Sequence, residues 1–481
     1  MIAEVAAEVR ARASTERAIG DQPAFAGLHG LLPAFVLALY VLRPLGPVKD
    51  PDAFWHVVAG ENLLNTGQFV LDDPFGAATE KVWILNQWLP EVLMNWAHTA
   101  YGLPGVAWLL CLGSLLVGLA VYAACRRRAS ALVSALVLAV TFVALSGSLS
   151  PRPQLVTFAL AAVTTSTWLL TREDGRARWW LVPLTWLWAC SHGMWFIGPV
   201  LGGIVVVGMF LERRVSFREA ARLAVVPVLS VGVAALTPVG PRLFTSPFQV
   251  SGVTGMIREW QAPGLTDPGL LAALLLVAVV VVDQVVRGRG EWTVALLAVL
   301  ALVLAVTWSR TTGLAAVVLA PLAALALQRL TRQKSSAVPR RERIAVLISS
   351  GLSLVLAAVL APVAALSPGI GPNGLDAALD RLPAGAVVCN DQVDGGWLML
   401  RHPGLRPTMD TRVELYSVER IRQYLSFVAG EPGWRAYTSR VGCTYALMPT
   451  DAAVVRVMRG TGSWSLMAEV GGYVLLKAEA S

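Results

Sequence analysis

The chain has 481 residues, 56% hydrophobic and 15% charged, with a mean hydropathy of +0.61 and a formal net charge of +8. Apolar runs of about 17–25 residues recur along it, which excludes a soluble globular protein and predicts a polytopic α-helical membrane protein. The runs are continuous rather than alternating, which argues against a spanning β-barrel, and the basic residues fall between the runs rather than in one patch, so the charge does not point to nucleic acid.

Residues 1–24 spread their charges and lack the order of a cleavable signal peptide, so they read as a cytoplasmic lead-in to an uncleaved first span. Eleven spans are expected: 25–42, 103–125, 129–147, 154–171, 177–192, 193–211, 221–237, 268–286, 292–308, 313–330 and 344–366. The fifth and sixth come from one apolar block, 179–211, too long for one span and short for two. Basic flanks on both sides, Arg172, Arg176 and Arg178 before and Arg213 and Arg214 after, favour a hairpin turning at Ser191–Gly193. With eleven spans the N-terminus lies inside and the C-terminal part outside. The segments then placed inside carry 21 Lys and Arg before residue 367, against 7 in the segments placed outside, as the positive-inside rule requires.

The first expected outer loop, 43–102, gathers seven acids, His56 and the tryptophans Trp55, Trp83, Trp88 and Trp96. "DPDAFWHVVAGENLL" reads as a helix start, with Asp50 as N-cap and Pro51 in the first helical position, where its missing N–H costs nothing. That accounts for Asp50. Asp52 falls in the first turn, where the helix dipole favours a carboxylate, and His56 lies four residues on, along the same face. Asp52 reads either as dipole stabilisation or as a carboxylate in a cleft, able to take a proton from a hydroxyl. His56 reads either as an interfacial histidine packed among aromatics or as its partner. The tryptophans read as an interfacial shelf or as a platform for a sugar ring or lipid tail.

Arg152, Arg242, Arg258 and Arg310 each fall at an expected outer end of a span, against the charge trend. Guanidinium binds phosphate bidentately and stays charged, so four on the disfavoured side point to an anionic group such as a lipid phosphate. Arg258 has a local competitor in Glu259. From Ser367 short apolar strands alternate with helical stretches, which predicts a small extracytoplasmic α/β domain over 367–481. Asp391, Asp394, Asp410, Arg412 and Glu414 gather at its apparent strand ends, readable as turn chemistry, Asp394-Gly395-Gly396 included, or as acceptor binding. Cys389 and Cys443 lie in this domain, and spacing leaves their pairing open. No Cys or His cluster has metal-ligand spacing.

"DPDAFWHVVAGENLLNTGQF", "LDDPFGAATEKVWILNQWLPEVL", "SPRPQL", "LWACSHGMWFIG", "TPVGPRLF", "IREWQAP" and "VDGGWLMLRHPGLRPTMDTRVELY" together resemble the GT-C superfamily of integral-membrane glycosyltransferases. The likeness is to bacterial members similar to protein mannosyltransferases and lipid A aminoarabinose transferases, and it covers nearly the whole chain. It implies a polyprenyl-phosphate-linked sugar as donor, with a glycan, lipid or protein acceptor attacking on the extracytoplasmic side. In such enzymes an acid soon after the first span acts in catalysis. Asp52 matches that position, with Asp50 second, and Asp72 or Asp73 matches the second acidic site of the loop. Arg152, His192, Arg242 and Arg310 match by placement the basic residues that hold the phosphate. His192 follows a serine in "ACSHG", where relatives often carry an amide, and "DPFG" replaces a hydroxyl-bearing end.

The expected function is therefore an inverting glycosyltransferase of a bacterial cytoplasmic membrane. Asp52 is its general base, His56 and Asp73 orient substrate, and the arginines with His192 hold the phosphate. Monophosphate donors react without metal, although the clustered loop acids leave a divalent ion possible. The rival reading is a non-catalytic binder of lipid-linked glycans, or a flippase, which needs the arginines but not Asp52. An ion-coupled transporter fits less well, because no acid lies mid-span and no repeated half is visible.

Overall fold

The computed structural model describes residues 23–479 except 246–251, 253, 254, 256, 289 and 333–337; for residues 23–30 and Arg258 only the backbone is described. Helix α1 is Pro23–Leu42, α2 Pro51–Thr66, α3 Trp88–Tyr101, α4 Leu103–Arg126, α5 Ala131–Leu145 and α6 Gln154–Asp174. Then come α7 Leu181–Ala189, α8 Ile197–Leu211, α9 Phe217–Ala234, α10 Pro268–Arg287, α11 Trp292–Thr307, α12 Ser309–Leu330 and α13 Arg340–Ala364. A helix thus falls on every expected span. Among the described residues six helical segments are long and apolar enough to cross a membrane, and one of these joins α3 to α4 across Gly102. Three shorter apolar helices accompany them, and α7, at nine residues, is shorter than any span the sequence predicts. Eleven crossings is therefore an expectation, not a feature of the helix lengths.

Sequence punctuation sets the helix ends. Ser130 caps α5, Ser216 and Glu219 form a capping box on α9, and Asp267 caps α10 ahead of Pro268. Gly67, Gly175 and Gly288 end α2, α6 and α10 with left-handed backbone, which glycine adopts without strain. At the expected inner ends, ion pairs tie helices together. Arg126 pairs with Glu342 at 2.7 Å, and Arg172 with Glu212 at 2.9 Å and Glu291 at 3.0 Å.

The C-terminal region carries a five-stranded sheet. Its strands are β3 Val387–Asn390, β4 Arg406–Pro407, β5 Tyr445–Pro449, β6 Trp464–Val470 and β7 Tyr473–Ala478, numbered after β1 Val70–Leu71 and β2 Trp83–Ile84 of the first loop. Their order is β4-β3-β5-β7-β6, parallel across the first three and antiparallel across the rest. Helices α14 Gln392–Arg401, α15 Val418–Val428 and α16 Trp434–Val441 connect the parallel part. Cys389 and Cys443 form a disulfide, with Cα atoms 5.6 Å apart, between β3 and the end of α16.

This sheet region is packed directly onto the first loop. One apolar core joins Trp55, Val58, Leu63 and Trp83 to Cys389, Met399, Met409 and Tyr416. Asp394-Gly395-Gly396 is therefore not a turn. Asp391 caps α14, and all three residues lie in its first turns, buried. A Cβ on Gly395 would stand 2.3 Å from the Met409 carbonyl, and one on Gly396 2.9 Å from the Pro51 carbonyl. Gly396 lets α14 touch the backbone of α2, and Gly395 lets it touch the backbone at Met409 and Asp410. The tryptophans are not a shelf either, because Trp55 and Trp83 are buried in the shared core while Trp96 is exposed.

Candidate active site

Asp50 is the N-cap of α2: its Oδ1 accepts from the Asp52 N–H at 3.0 Å, and Pro51 follows in the first helical position. Its other oxygen accepts from Arg152 Nε at 2.6 Å. Arg152 stands in the short turn between α5 and α6, and its Nη1 lies 3.2 Å from Asp52 Oδ2. The same Nη1 donates to both Glu259 oxygens, at 2.9 and 3.0 Å. Arg310, in the first turn of α12, reaches Glu259 at 3.5 Å, with Trp260 beneath its guanidinium at 5.8 Å. Three carboxylates thus converge on two guanidiniums.

Asp52 Oδ1 accepts from Trp55 Nε1 at 3.3 Å and from the Thr411 hydroxyl, and Trp55 Nε1 also donates to Thr411 at 3.0 Å. The sheet region therefore supplies a contact to the first turn of α2. Thr411 is held by its neighbours: Arg412 bonds Asp410 at 2.8 Å and Asp73 at 2.8 and 3.2 Å, with Trp83 4.4 Å from its guanidinium. All three charged side chains are fully buried. Burial works to raise the Asp410 carboxyl, yet Arg412 and the Tyr416 hydroxyl at 2.8 Å hold it below its usual range. At Glu414, two residues after Arg412, burial outweighs the pull of that guanidinium and pushes the carboxyl up to about 7.

The expected site residues now separate. Asp50, Asp52, Arg152 and Arg310 come together. His56 does not share a face with Asp52 in use: its Nδ1 turns to Glu91 at 3.0 Å, both groups are buried, and burial lowers the imidazole below its usual range. Asp73 is committed to Arg412 and to the Gly76 N–H at 2.9 Å, so it joins the loop to the sheet region rather than facing a substrate. Asp72 is exposed. Arg242 is exposed on the turn Gly240–Phe244 and makes no ion pair among the described residues. The Arg258 side chain lies outside the described residues.

His192 is buried beside Thr157. Trp188 Nε1 donates to the Thr157 hydroxyl at 2.8 Å, so that hydroxyl turns its own proton to His192 Nδ1 at 2.9 Å, and Nε2 carries the imidazole proton. Arg310, His56 and Arg152 are the titratable and charged groups that act on it electrostatically. Glu259, Thr411 and Trp55 are the contacts that reading the sequence missed. Among the described residues no group of three His, Cys, Asp or Glu side chains is placed to hold a metal ion, and the converging carboxylates meet at a guanidinium.

An oligosaccharyltransferase from Archaeoglobus fulgidus, tethered to an acceptor peptide, matches 95% of this chain and 74% of its own, with TM-score 0.58 at 12% identity. An ArnT from Cupriavidus metallidurans, in the apo state, matches 95% of this chain and 99% of its own, with TM-score 0.52 at 15% identity. Both are membrane glycosyltransferases of the GT-C superfamily. The fold is GT-C-like. No family model and no curated protein matches the sequence. The GT-C-like scaffold accounts for where the site stands: the helix after the first span, the inter-span turns and the C-terminal sheet region meet at one end of the bundle.

Proposed function

We propose that the chain is a glycosyltransferase that moves a sugar from a polyprenyl-phosphate donor to an acceptor hydroxyl with inversion, Asp52 being the general base. The observation that carries this reading is the convergence of Asp50 and Asp52 with Arg152 and Arg310 on a GT-C-like scaffold. Asp52 Oδ1 is filled by Trp55 and Thr411, whereas Oδ2 is ion-paired with Arg152 at 3.2 Å and, among the described residues, keeps a lone pair. That lone pair takes the acceptor's proton as its oxygen bonds to the anomeric carbon from the face opposite the leaving group. The carbon–oxygen bond to phosphate breaks, and the electron pair departs on polyprenyl phosphate. In this reading Arg310 and the His192 Nε2–H meet the growing charge on that phosphate.

The sheet region faces outside and the N-terminus inside in this proposal, across a bacterial cytoplasmic membrane. The charge asymmetry of the loops supports that orientation, and so does the Cys389–Cys443 disulfide, which persists in oxidising compartments. The test is transfer by the purified full chain in liposomes, using a panel of undecaprenyl-phosphate-linked hexoses and pentoses with envelope lipids and glycans as acceptors. Asp52→Asn should lower turnover about 10²–10⁴-fold with donor binding retained. Normal transfer by that variant removes Asp52 as base. Donor binding by the wild type with no turnover on any acceptor favours the non-catalytic scaffold.

A further inference from the structure

In the sequence Glu259 is a local competitor for Arg258, yet its carboxylate bridges Arg152 and Arg310. Arg152 is nearly buried and fixed on its far side by Asp50 and Asp52, so it cannot swing away. Glu259 is the most open member of the cluster, with 43% of its side chain exposed, against 13% for Arg152 and 25% for Arg310. Its backbone, by contrast, is pinned. The Ser309 hydroxyl donates to the Glu259 and Gln261 carbonyls, both at 3.2 Å, and the Ser309 N–H donates to Gln261 at 2.9 Å. Trp260 packs edge-on against Trp308 at 5.9 Å. The side chain can therefore rotate out while its peptide stays in place.

We propose that Glu259 is a built-in stand-in for the donor's phosphate: its carboxylate occupies the Arg152–Arg310 pair until a lipid phosphate displaces it. This rests on the polyprenyl-phosphate reading and adds a gate to that site. The chemistry is an exchange of like for like. A carboxylate and a phosphodiester each bring one negative charge and an acceptor edge to guanidinium, so exchanging them leaves the charge of the cluster unchanged. Without Glu259, Asp50 and Asp52 balance Arg152 and Arg310. With it the described side chains of the cluster carry one surplus negative charge, which repels an incoming phosphate until the carboxylate leaves. Helix α12 begins beside it at Ser309 with no side-chain cap, so its positive end adds to the attraction of Arg310 for an anion.

A purely structural Glu259 and a stand-in predict opposite signs. Removing a structural partner loosens both arginines and weakens phosphate binding; removing a competitor strengthens it. The experiment measures undecaprenyl phosphate binding to the full chain in phosphatidylcholine nanodiscs, by tryptophan fluorescence, for wild type, Glu259→Gln, Glu259→Ala and Arg310→Gln. Either Glu259 variant should bind about tenfold tighter than wild type, and Arg310→Gln more weakly. Adding Arg310→Gln to Glu259→Gln should cancel most of the gain. Melting curves identify a Glu259 variant that does not fold, and the other then decides. Unchanged or weaker binding by the folded Glu259 variants overturns the proposal, while sugar transfer by the wild type leaves the glycosyltransferase reading standing. No binding by wild type and variants alike overturns both.

Discussion

Arg412 and Arg152 are each held between carboxylates brought from distant parts of the chain. Arg412 sits between Asp73 of the first loop and Asp410 of the sheet region, with no solvent reaching any of the three. Arg152 sits between Asp50, Asp52 and Glu259, where solvent reaches every partner and most of all Glu259. Sealed, the pairing is a fastener, because neither charge can be left alone in the interior. Open, and with more carboxylate than guanidinium around it, the same pairing can exchange one partner for a ligand. Burial, rather than residue type, separates the two roles.

The comparison breaks most visibly at Arg412. Arg412→Gln strands two buried carboxylates and should cost about 3–5 kcal/mol, seen as a large fall in the melting temperature of the full chain. Arg152→Gln, whose partners can turn to solvent, should cost clearly less in the same measurement, and an equal loss would dissolve the distinction. Next in size is Gly395→Ala, whose Cβ would meet the Met409 carbonyl at 2.3 Å and should cost about 1–3 kcal/mol by forcing α14 away from the strand end. If it melts like the wild type, the close approach at α14 is not what seats the domain.

The smallest expected effect concerns a buried carboxyl with no guanidinium paired to it among the described residues. Asp394 accepts from the Tyr473 hydroxyl at 3.2 Å, and burial, with Asp391 nearby, pushes its carboxyl up to about 7. Between about pH 4 and 7 the unfolded chain releases this proton while the folded chain keeps it, so stability falls as pH rises through that window. Asp394→Asn has no such proton. The melting temperature of the wild type should therefore drop by several degrees relative to the variant between pH 5 and pH 8. Parallel curves would show that Asp394 is charged in the folded protein.

Local features were legible in the sequence. The Asp50–Pro51 helix start is visible because its signals are adjacent, and the helices over the apolar runs follow from composition. Arg152 and Arg310 stood out because they oppose the charge trend. What stayed hidden depends on long-range packing. Helical spacing puts Asp52 and His56 on one side of α2, but Glu91 of α3 draws the imidazole elsewhere. Glu259 follows Arg258 directly, yet the turn at Arg258–Trp260 aims it at two arginines remote in the chain. Two glycines after an aspartate read as a turn, and only the backbone at Met409, packed against Gly395, and that of α2, packed against Gly396, shows why they are small.

The bond from Thr411 to Asp52 spans 359 positions of sequence. During synthesis the helices around Arg152 can be inserted long before the residue that braces Asp52 has left the ribosome. A chain arrested before the sheet region would hold Arg152, Asp50 and Asp52 without the hydroxyl that braces Asp52.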